Sequence, residues 1–137
     1  ILLLTILLSS SLVMASSFPL TDLQGNSLDE STLKKRVILY FWATWCVECK
    51  AKMKSNFDQK IKQSGVSLLW VNLDKNIRRT KHYMKKNNFD YLIYRDVSKH
   101  FINKFSIAAA PFWLVYQRDG QSWTLLQKGL GEFSYSY

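Results

Sequence analysis

The sequence predicts a single α/β domain in which a mixed central sheet is flanked by helices. Two continuous apolar runs, residues 37–42 and 66–71, are rich in β-forming residues, as expected for strands buried on both faces. A helical pattern follows each run, and two later apolar runs meet at Asp119-Gly120, a pair typical of hairpin turns. Strands and helices that alternate in this way pack as layers of helices on a sheet.

The central strands are predicted from apolar, β-rich runs. The two longer helices are predicted from an apolar side, which consists of Val47, Met53, Phe57 and Ile61 in the first and of Ile77, Tyr83 and Met84 in the second. Turn residues and a capping residue mark the boundaries. In chain order the predicted elements are a hairpin over 18–28 around Gly25-Asn26, a helical turn over 29–33, a strand over 37–42, a helix from about Cys46 to about Lys62, a strand over 66–71, a helix over 76–88, an extended piece over 91–94, a helix over 98–105 with Ser98 as N-cap, and strands over 112–116 and 123–127.

The composition indicates one folded domain with a basic surface. The chain has 137 residues, of which 47% are hydrophobic, enough for one packed core. Its net charge of +9 comes from 19 Lys and Arg against 10 Asp and Glu. The basic residues occur in scattered pairs, and no nucleic-acid-binding motif accompanies them. We therefore expect a solvated basic surface and no nucleic-acid partner.

Residues 1–15 predict a signal peptide. Ile1 to Leu8 are nearly all apolar, and Val13 and Ala15 fit the −3 and −1 positions of a signal-peptidase site. An uncleaved N-terminal membrane anchor is the alternative, although a membrane-spanning helix needs roughly 20 apolar residues. Either interpretation places the domain at 16–137 in the periplasm or at the outer face of the cytoplasmic membrane.

Cys46 and Cys49 carry the predicted chemistry. A C-x-x-C pair closes too small a loop to be a useful structural staple, since it removes little entropy from the unfolded chain. Cys46 is expected where a buried strand gives way to a helix, so unpaired N–H groups and the helix dipole favour its thiolate. Cys49 follows one turn later on the same face. Cys46 is therefore predicted to attack, and Cys49 to resolve the product.

Other uses of the cysteine pair are disfavoured by what surrounds it. Structural zinc requires two further ligands, and the sequence offers only His82 and His100, which are distant from the pair and from each other. Covalent haem attachment requires His directly after the second cysteine, where Lys50 stands. We predict no metal and no cofactor at this site.

Three segments of the chain resemble the TlpA/ResA-like branch of the thioredoxin superfamily, the membrane-facing reductases of bacteria. They are VILYFWATWCVECKAKM, FPLTDLQGNSL and AAAPFWLVYQRDG. The resemblance extends from Phe18 to about Gly129. It implies a thioredoxin-like fold with an N-terminal β-hairpin extension.

The resemblance also implies roles for individual residues. Cys46 is similar in position to the family's nucleophile, and Cys49 to its resolving thiol. Pro111 is expected to follow a cis peptide bond opposite the disulfide, with the Ala110 backbone pairing with an extended substrate. Trp45 is expected to shield the sulfur and to offer a surface for partners.

Three positions depart from the family pattern. Tyr40 stands where thioredoxins proper carry a buried Asp, and Lys52 stands where this branch often has Glu. Glu48 occupies the place of the family's usual Pro. It is a candidate acceptor for the Cys49 proton, with simple solvent exposure as the alternative. Residues 131–137 also lack the pattern of the helix that normally follows the last strand.

These features predict an exported thiol–disulfide oxidoreductase that reduces or isomerises disulfides of envelope proteins, with cytochrome c maturation among the implied processes. Its expected partners are protein thiols and disulfides, together with a membrane-bound thiol reductase as electron donor. We expect a monomer. The alternatives are a dithiol oxidase within the same class, and a non-catalytic metal-delivery module that uses both thiols and Met53.

Overall fold

A computed structural model describes residues 17–136, which contain a six-stranded sheet with helices on both faces. The predicted leader at residues 1–15 lies outside the described residues. Within 17–136, no helix has the length and apolar character needed to cross a membrane. The strands are β1 (Thr21–Asp22), β2 (Arg36–Trp42), β3 (Ser67–Asn72), β4 (Ile93–Arg95), β5 (Phe112–Asp119) and β6 (Ser122–Leu130). The helices are α1 (Val47–Lys54), α2 (Phe57–Gln63), α3 (Ile77–Lys86) and α4 (His100–Phe105), with a short 3-10 turn at Glu30–Thr32.

β2 lies inside the sheet, whose strand order is β1-β4-β3-β2-β5-β6. It pairs in parallel with β3 and antiparallel with β5. β3 and β4 are also parallel, whereas β1 and β6 pair antiparallel with their neighbours. The predicted mixed α/β sheet is therefore confirmed. α1 and α2 supply the crossover that a parallel pair of strands requires.

Alternate residues of β2 pack into two separate hydrophobic clusters. The even-numbered residues of 37–42 pack with side chains from α1, α2 and α3, and the odd-numbered residues pack with the N-terminal segment and α4. All six side chains are fully buried. This burial on both faces explains why the run has no polar alternation.

The helix predicted from Cys46 to Lys62 is two helices, and the prediction of one continuous helix is wrong. α1 ends at Lys54, and Ser55 has an extended backbone with ψ −178°. The Ser55 hydroxyl donates to the Lys52 carbonyl at 2.6 Å and accepts the Phe57 N–H at 3.2 Å. This one side chain closes α1 and accepts the first N–H of α2. Serine hydroxyls compete in this way with the backbone hydrogen bonds of a continuous helix.

The start of α4 also differs from the prediction. Ser98 is not its N-cap, because the helix begins at His100 and Lys99 holds the cap position in a left-handed conformation, φ 57°. Asp96 supplies the capping oxygen from further back, where its Oδ2 accepts the Ile102 N–H at 2.9 Å. A carboxylate buried beside the helix thus replaces the local serine that the sequence suggested.

The predicted N-terminal hairpin is present as a tight chain reversal. Asp22 N–H donates to Asn26 O at 2.8 Å, and Leu28 N–H donates to Leu20 O at 2.9 Å. Only Thr21–Asp22 forms a regular strand, and it pairs with β4. The extension therefore widens the central sheet by one short edge strand.

The C-terminal hairpin is confirmed, and both of its strands are longer than predicted. β5 ends at Asp119 and β6 begins at Ser122, with Gly120 in the left-handed region at φ 62°. β6 is largely exposed, so its ends follow pairing with β5 rather than any apolar pattern. Beyond it, residues 131–136 form no helix, and the Phe133 ring packs 5.0 Å from that of Trp113.

Gly129 provides a test of the packing between β6 and β5. It pairs with Trp113, and a Cβ atom added at Gly129 would lie 2.1 Å from Trp113 Cζ2. We expect Gly129→Ala to lower the free energy of unfolding by about 1–3 kcal/mol, because the buried indole would have to move. Urea denaturation measures the change. Gln127→Ala on the same strand is the control, and equal stability of the two variants would contradict this packing.

Candidate active site

Cys46 lies at the junction between β2 and α1. β2 ends at Trp42, α1 begins at Val47, and Cys46 is the N-cap of α1 with φ −96° and ψ 105°. Its N–H donates to the Ala43 carbonyl at 3.1 Å, so the chain turns tightly between strand and helix. The predicted position of Cys46 at a strand-to-helix junction is confirmed.

The two cysteine side chains meet within the first turn of α1. Their Cα atoms are 5.3 Å apart, and their sulfur atoms form a disulfide. Cys49 N–H donates to Cys46 Sγ at 3.2 Å. The sulfur thus takes the place of the side-chain oxygen that usually caps a helix. The same N–H and the positive end of the helix dipole would stabilise a thiolate on Cys46 after reduction.

The two cysteine residues differ in their access to solvent. Cys49 is fully buried, whereas Cys46 retains 6% exposure. Cys46 is therefore the more accessible of the two residues, and Cys49 lies on its inner side. The attacking role of Cys46 and the resolving role of Cys49 stay predictions.

Trp45 directly precedes Cys46 in the chain, and the Ala110-Pro111 segment directly precedes β5. Trp45 is 56% exposed, so much of its indole faces solvent. The Ala110–Pro111 peptide bond is cis, as the resemblance implied. Ala110 packs against the hydrophobic cluster that contains both cysteines. The roles of these residues in substrate binding stay predictions.

The charged residues of α1 are exposed or half-buried. Glu48 is exposed on the first turn, and its role as proton acceptor stays a prediction. Lys50 Nζ lies 6.0 Å from the centroid of the Tyr83 ring. Lys52 Nζ lies 3.5 Å from Glu132 Oε1, so the lysine in the place of the family's Glu pairs with a carboxylate from the C-terminal segment.

Tyr40 lies beneath the site, in the cluster that contains both cysteines. Its ring packs edge-on against Trp70 at 5.2 Å, and its buried hydroxyl has no hydrogen-bond partner within residues 17–136. Burial raises the pKa of Tyr40 far above its usual value, and the charges of Glu48 and Glu132 raise it further. The phenol is therefore neutral and does not replace the family's carboxylate as a proton acceptor.

Asp74 holds the loop that leads into Cys46, and the sequence analysis missed it. Its carboxylate accepts the Thr44 N–H at 2.8 Å and the Thr44 hydroxyl at 2.6 Å. The Asn72 amide donates to the same carboxylate at 2.8 Å, and the Thr80 hydroxyl donates to Asn72 Oδ1 at 2.8 Å. Polar residues directly after a buried strand were the available signal, because the ends of adjacent parallel strands meet at one edge of a sheet.

The described part of the chain provides no further cluster of metal ligands that would favour the metal-delivery alternative. Within residues 17–136, no three His, Cys, Asp or Glu side chains are placed to hold a metal ion together. His82 and His100 are both exposed. Met53 is fully buried in the hydrophobic cluster.

Residues 13–121, well over half of the chain, match the AhpC/TSA family. The chain belongs to this family. A thioredoxin-like protein of Haemophilus influenzae is 30% identical to it over 95 residues, which cover 67% of this chain and 56% of that protein. The thiol-disulfide oxidoreductase ResA of Oceanobacillus iheyensis is 27% identical over 117 residues, which cover 84% of this chain and 56% of ResA. The chain spans little more than half the length of these two curated relatives.

Solved structures share the fold of this AhpC/TSA-family chain. The exposed lipoprotein thioredoxin Etrx1 of Streptococcus pneumoniae superposes with a TM-score of 0.68 at 22% identity, covering 85% of this chain and 90% of Etrx1. The predicted thioredoxin-like fold is thereby confirmed. The match to ResA over 84% of the chain confirms the resemblance to ResA-like proteins.

The unpaired hydroxyl of Tyr40 can be tested by comparison with the hydrogen-bonded hydroxyl of Tyr91. We expect Tyr40→Phe to leave the free energy of unfolding unchanged or to raise it by about 1 kcal/mol, because it removes a buried hydroxyl without a partner. Tyr91→Phe should instead lower it by about 1 kcal/mol, since the Tyr91 hydroxyl donates to the Met53 carbonyl at 3.2 Å in the last turn of α1. Urea denaturation of both variants measures the difference. A larger loss for Tyr40→Phe than for Tyr91→Phe would show that the Tyr40 hydroxyl has a partner.

Asp74 is expected to stabilise the active-site loop. Asp74→Ala leaves the Thr44 N–H and the Asn72 amide without their acceptor, so we expect a loss of about 2–4 kcal/mol in the free energy of unfolding. Asp119→Ala, at the exposed tip of the hairpin, is the matched control and should change stability little. Thermal or urea unfolding gives both values. Similar stability of the two variants would contradict the role assigned to Asp74.

Proposed function

We propose that the protein is a thiol–disulfide oxidoreductase that reduces or isomerises disulfides of envelope proteins. The observation that carries the proposal is the contact of Cys49 N–H with Cys46 Sγ, 3.2 Å, at the start of α1. A thiolate on Cys46 has a hydrogen-bond donor and a favourable helix dipole, and its partner cysteine is within disulfide range. The name of the relative ResA, a thiol-disulfide oxidoreductase, supports the same activity.

The reaction runs through a mixed disulfide. The reduced Cys46 thiolate attacks one sulfur of a substrate disulfide, and the other substrate sulfur leaves as a thiolate. The Cys49 thiolate then attacks Cys46 Sγ, which breaks the mixed disulfide and releases the second substrate thiolate. The substrate gains two electrons, and Cys46 and Cys49 become the disulfide. In isomerisation, a substrate thiolate resolves the mixed disulfide instead.

The neighbouring residues position the substrate in this proposal. An extended segment of the substrate pairs with the backbone of Ala110, beside the cis Ala110–Pro111 bond. The exposed indole of Trp45 provides an apolar contact next to Cys46. Glu48, one residue before Cys49 and exposed, accepts the proton of the Cys49 thiol and passes it to solvent.

The proposal places the protein in the periplasm or at the outer face of the cytoplasmic membrane. The predicted leader at 1–15 supports export. The structurally similar protein Etrx1 is an exposed lipoprotein thioredoxin, which supports the same location. A membrane-bound thiol reductase would return two electrons to the Cys46–Cys49 disulfide after each cycle. Protein disulfides, including those formed by apocytochrome c thiols, are the proposed substrates.

Serine variants of the two cysteines test the proposal. Insulin reduction should be abolished in both Cys46→Ser and Cys49→Ser, because each variant lacks one sulfur of the exchange. Only Cys49→Ser should accumulate a mixed disulfide with substrate, since it keeps the attacking sulfur and lacks the resolving one. Non-reducing electrophoresis and mass spectrometry of trapped proteins measure this difference.

Two results would replace the proposal with one of the alternatives. Equal inactivity of the wild type and both variants, with stoichiometric metal binding, would favour the metal-delivery module. Equilibration with glutathione measures the reduction potential and so distinguishes a reductase from an oxidase. A potential of about −270 mV is typical of a reductase and one of about −120 mV of an oxidase.

A further inference from the structure

We propose that a groove beside Trp45 binds an acidic, extended segment of the client protein next to its disulfide. This inference rests on the proposed oxidoreductase function and names the class of substrate that the same site prefers. The groove has a volume of about 760 Å³. Its walls come from Trp45, from the segment between β3 and α3, from the segment between β4 and α4, and from Ile107-Ala108.

The position of the groove links it to the reacting sulfur. Trp45 lines the groove and is the residue directly before Cys46. Ile107 and Ala108 belong to the segment that leads into Ala110, whose backbone is the proposed partner of an extended substrate. A client chain that presents a disulfide to Cys46 and pairs with Ala110 therefore has its flanking residues beside this groove.

The groove carries four cationic side chains. Lys75, Arg79 and Lys99 are exposed, and Arg95 is half-buried. Within residues 17–136, none of the four forms an ion pair. α3, whose first turn contains no acidic residue, begins at the same wall and adds the positive end of its dipole. Unpaired cations at the rim of a cleft raise the local concentration of anionic partners.

Two carboxylates also line the groove, and both are buried and engaged with the protein. Asp74 accepts hydrogen bonds from Thr44 and Asn72. Asp96 Oδ2 accepts the Ile102 N–H at 2.9 Å, and Asp96 Oδ1 is buried without a hydrogen-bond partner in the described part of the chain. The charge that a ligand meets at the surface of the groove is therefore the positive charge of the rim.

The groove also offers apolar contacts, which favour a polypeptide over a small anion. Val97 is 67% exposed and Trp45 is 56% exposed, although both are large apolar side chains. Leu73 and Ile107 contribute further apolar surface to the lining. An extended chain places successive side chains on opposite sides, so acidic residues can meet the cationic rim while apolar neighbours contact Trp45 and Val97.

Two disulfide peptides that differ only in flanking charge test the inference. One carries two Glu residues beside the reactive cysteine, and the other carries two Gln residues at the same positions. We expect the wild-type protein to reduce the Glu peptide with a kcat/KM about fivefold to tenfold higher, as a few exposed ion pairs would give. The preference should fall at high salt, because screening weakens exposed charge pairs.

Charge-removal variants locate the effect. The double variant Arg79→Gln with Lys99→Gln should reduce the Glu and Gln peptides with similar kcat/KM, because the charges that distinguish the two peptides are gone. The control is Arg78→Gln with Lys104→Gln, two exposed cations on α3 and α4 that do not line the groove, and it should keep the preference.

The outcomes separate this inference from the proposed function. Equal rates for the two peptides, or a preference that survives in the groove variant, would overturn the groove while the reduction of the Gln peptide still supports the oxidoreductase. No reduction of either peptide would overturn both. If the groove variant lost activity only toward oxidised glutathione and kept its preference among the peptides, the groove would select a small carboxylate and the peptide site would be wrong.

Discussion

The burial of β2 on both faces is the constraint on which the rest of the molecule depends. All side chains of residues 37–42 are fully buried, and they divide by parity between the two hydrophobic clusters. The strand is flanked by β3 and β5, so its backbone is also paired on both sides. Such a strand cannot shift by one residue without exchanging the two clusters. Its carboxyl end is therefore fixed, and the first turn of α1 with Cys46 and Cys49 starts from a rigid point.

At the groove beside the site, the negative charges are buried and the positive charges lie at the surface. The carboxylates of Asp74 and Asp96 are buried, where one holds the loop before Cys46 and the other caps α4. The cations of the adjoining groove remain at the surface. Because Asp74 and Asp96 are buried, they stabilise the loops without adding negative charge to the surface of the groove. An anionic partner would therefore meet mainly positive charge there.

The sequence predicted the central strands, the terminal hairpin and the cysteine junction because each is encoded by a local pattern. An apolar run, an Asp119-Gly120 turn and a C-x-x-C spacing need no knowledge of distant residues. The role of Asp74 could not be predicted in this way, since its bonds to Thr44 connect residues 30 positions apart. The break between α1 and α2 has a local cause, the hydrogen bond of the Ser55 hydroxyl to the Lys52 carbonyl. It was not predicted because the apolar pattern of the two helices continues across Ser55. β6 was predicted too short because pairing, rather than an apolar pattern, determines its length.

The neutral phenol beneath the cysteines has a consequence for the coupling of electrons to protons. Where a buried carboxylate stands near a dithiol, its own ionisation responds to the redox state, and three groups titrate as one system. Tyr40 keeps its proton in both redox states, because burial and two nearby negative charges oppose its loss. Tyr40 therefore cannot store a proton beneath the cysteines in the way that such a carboxylate can.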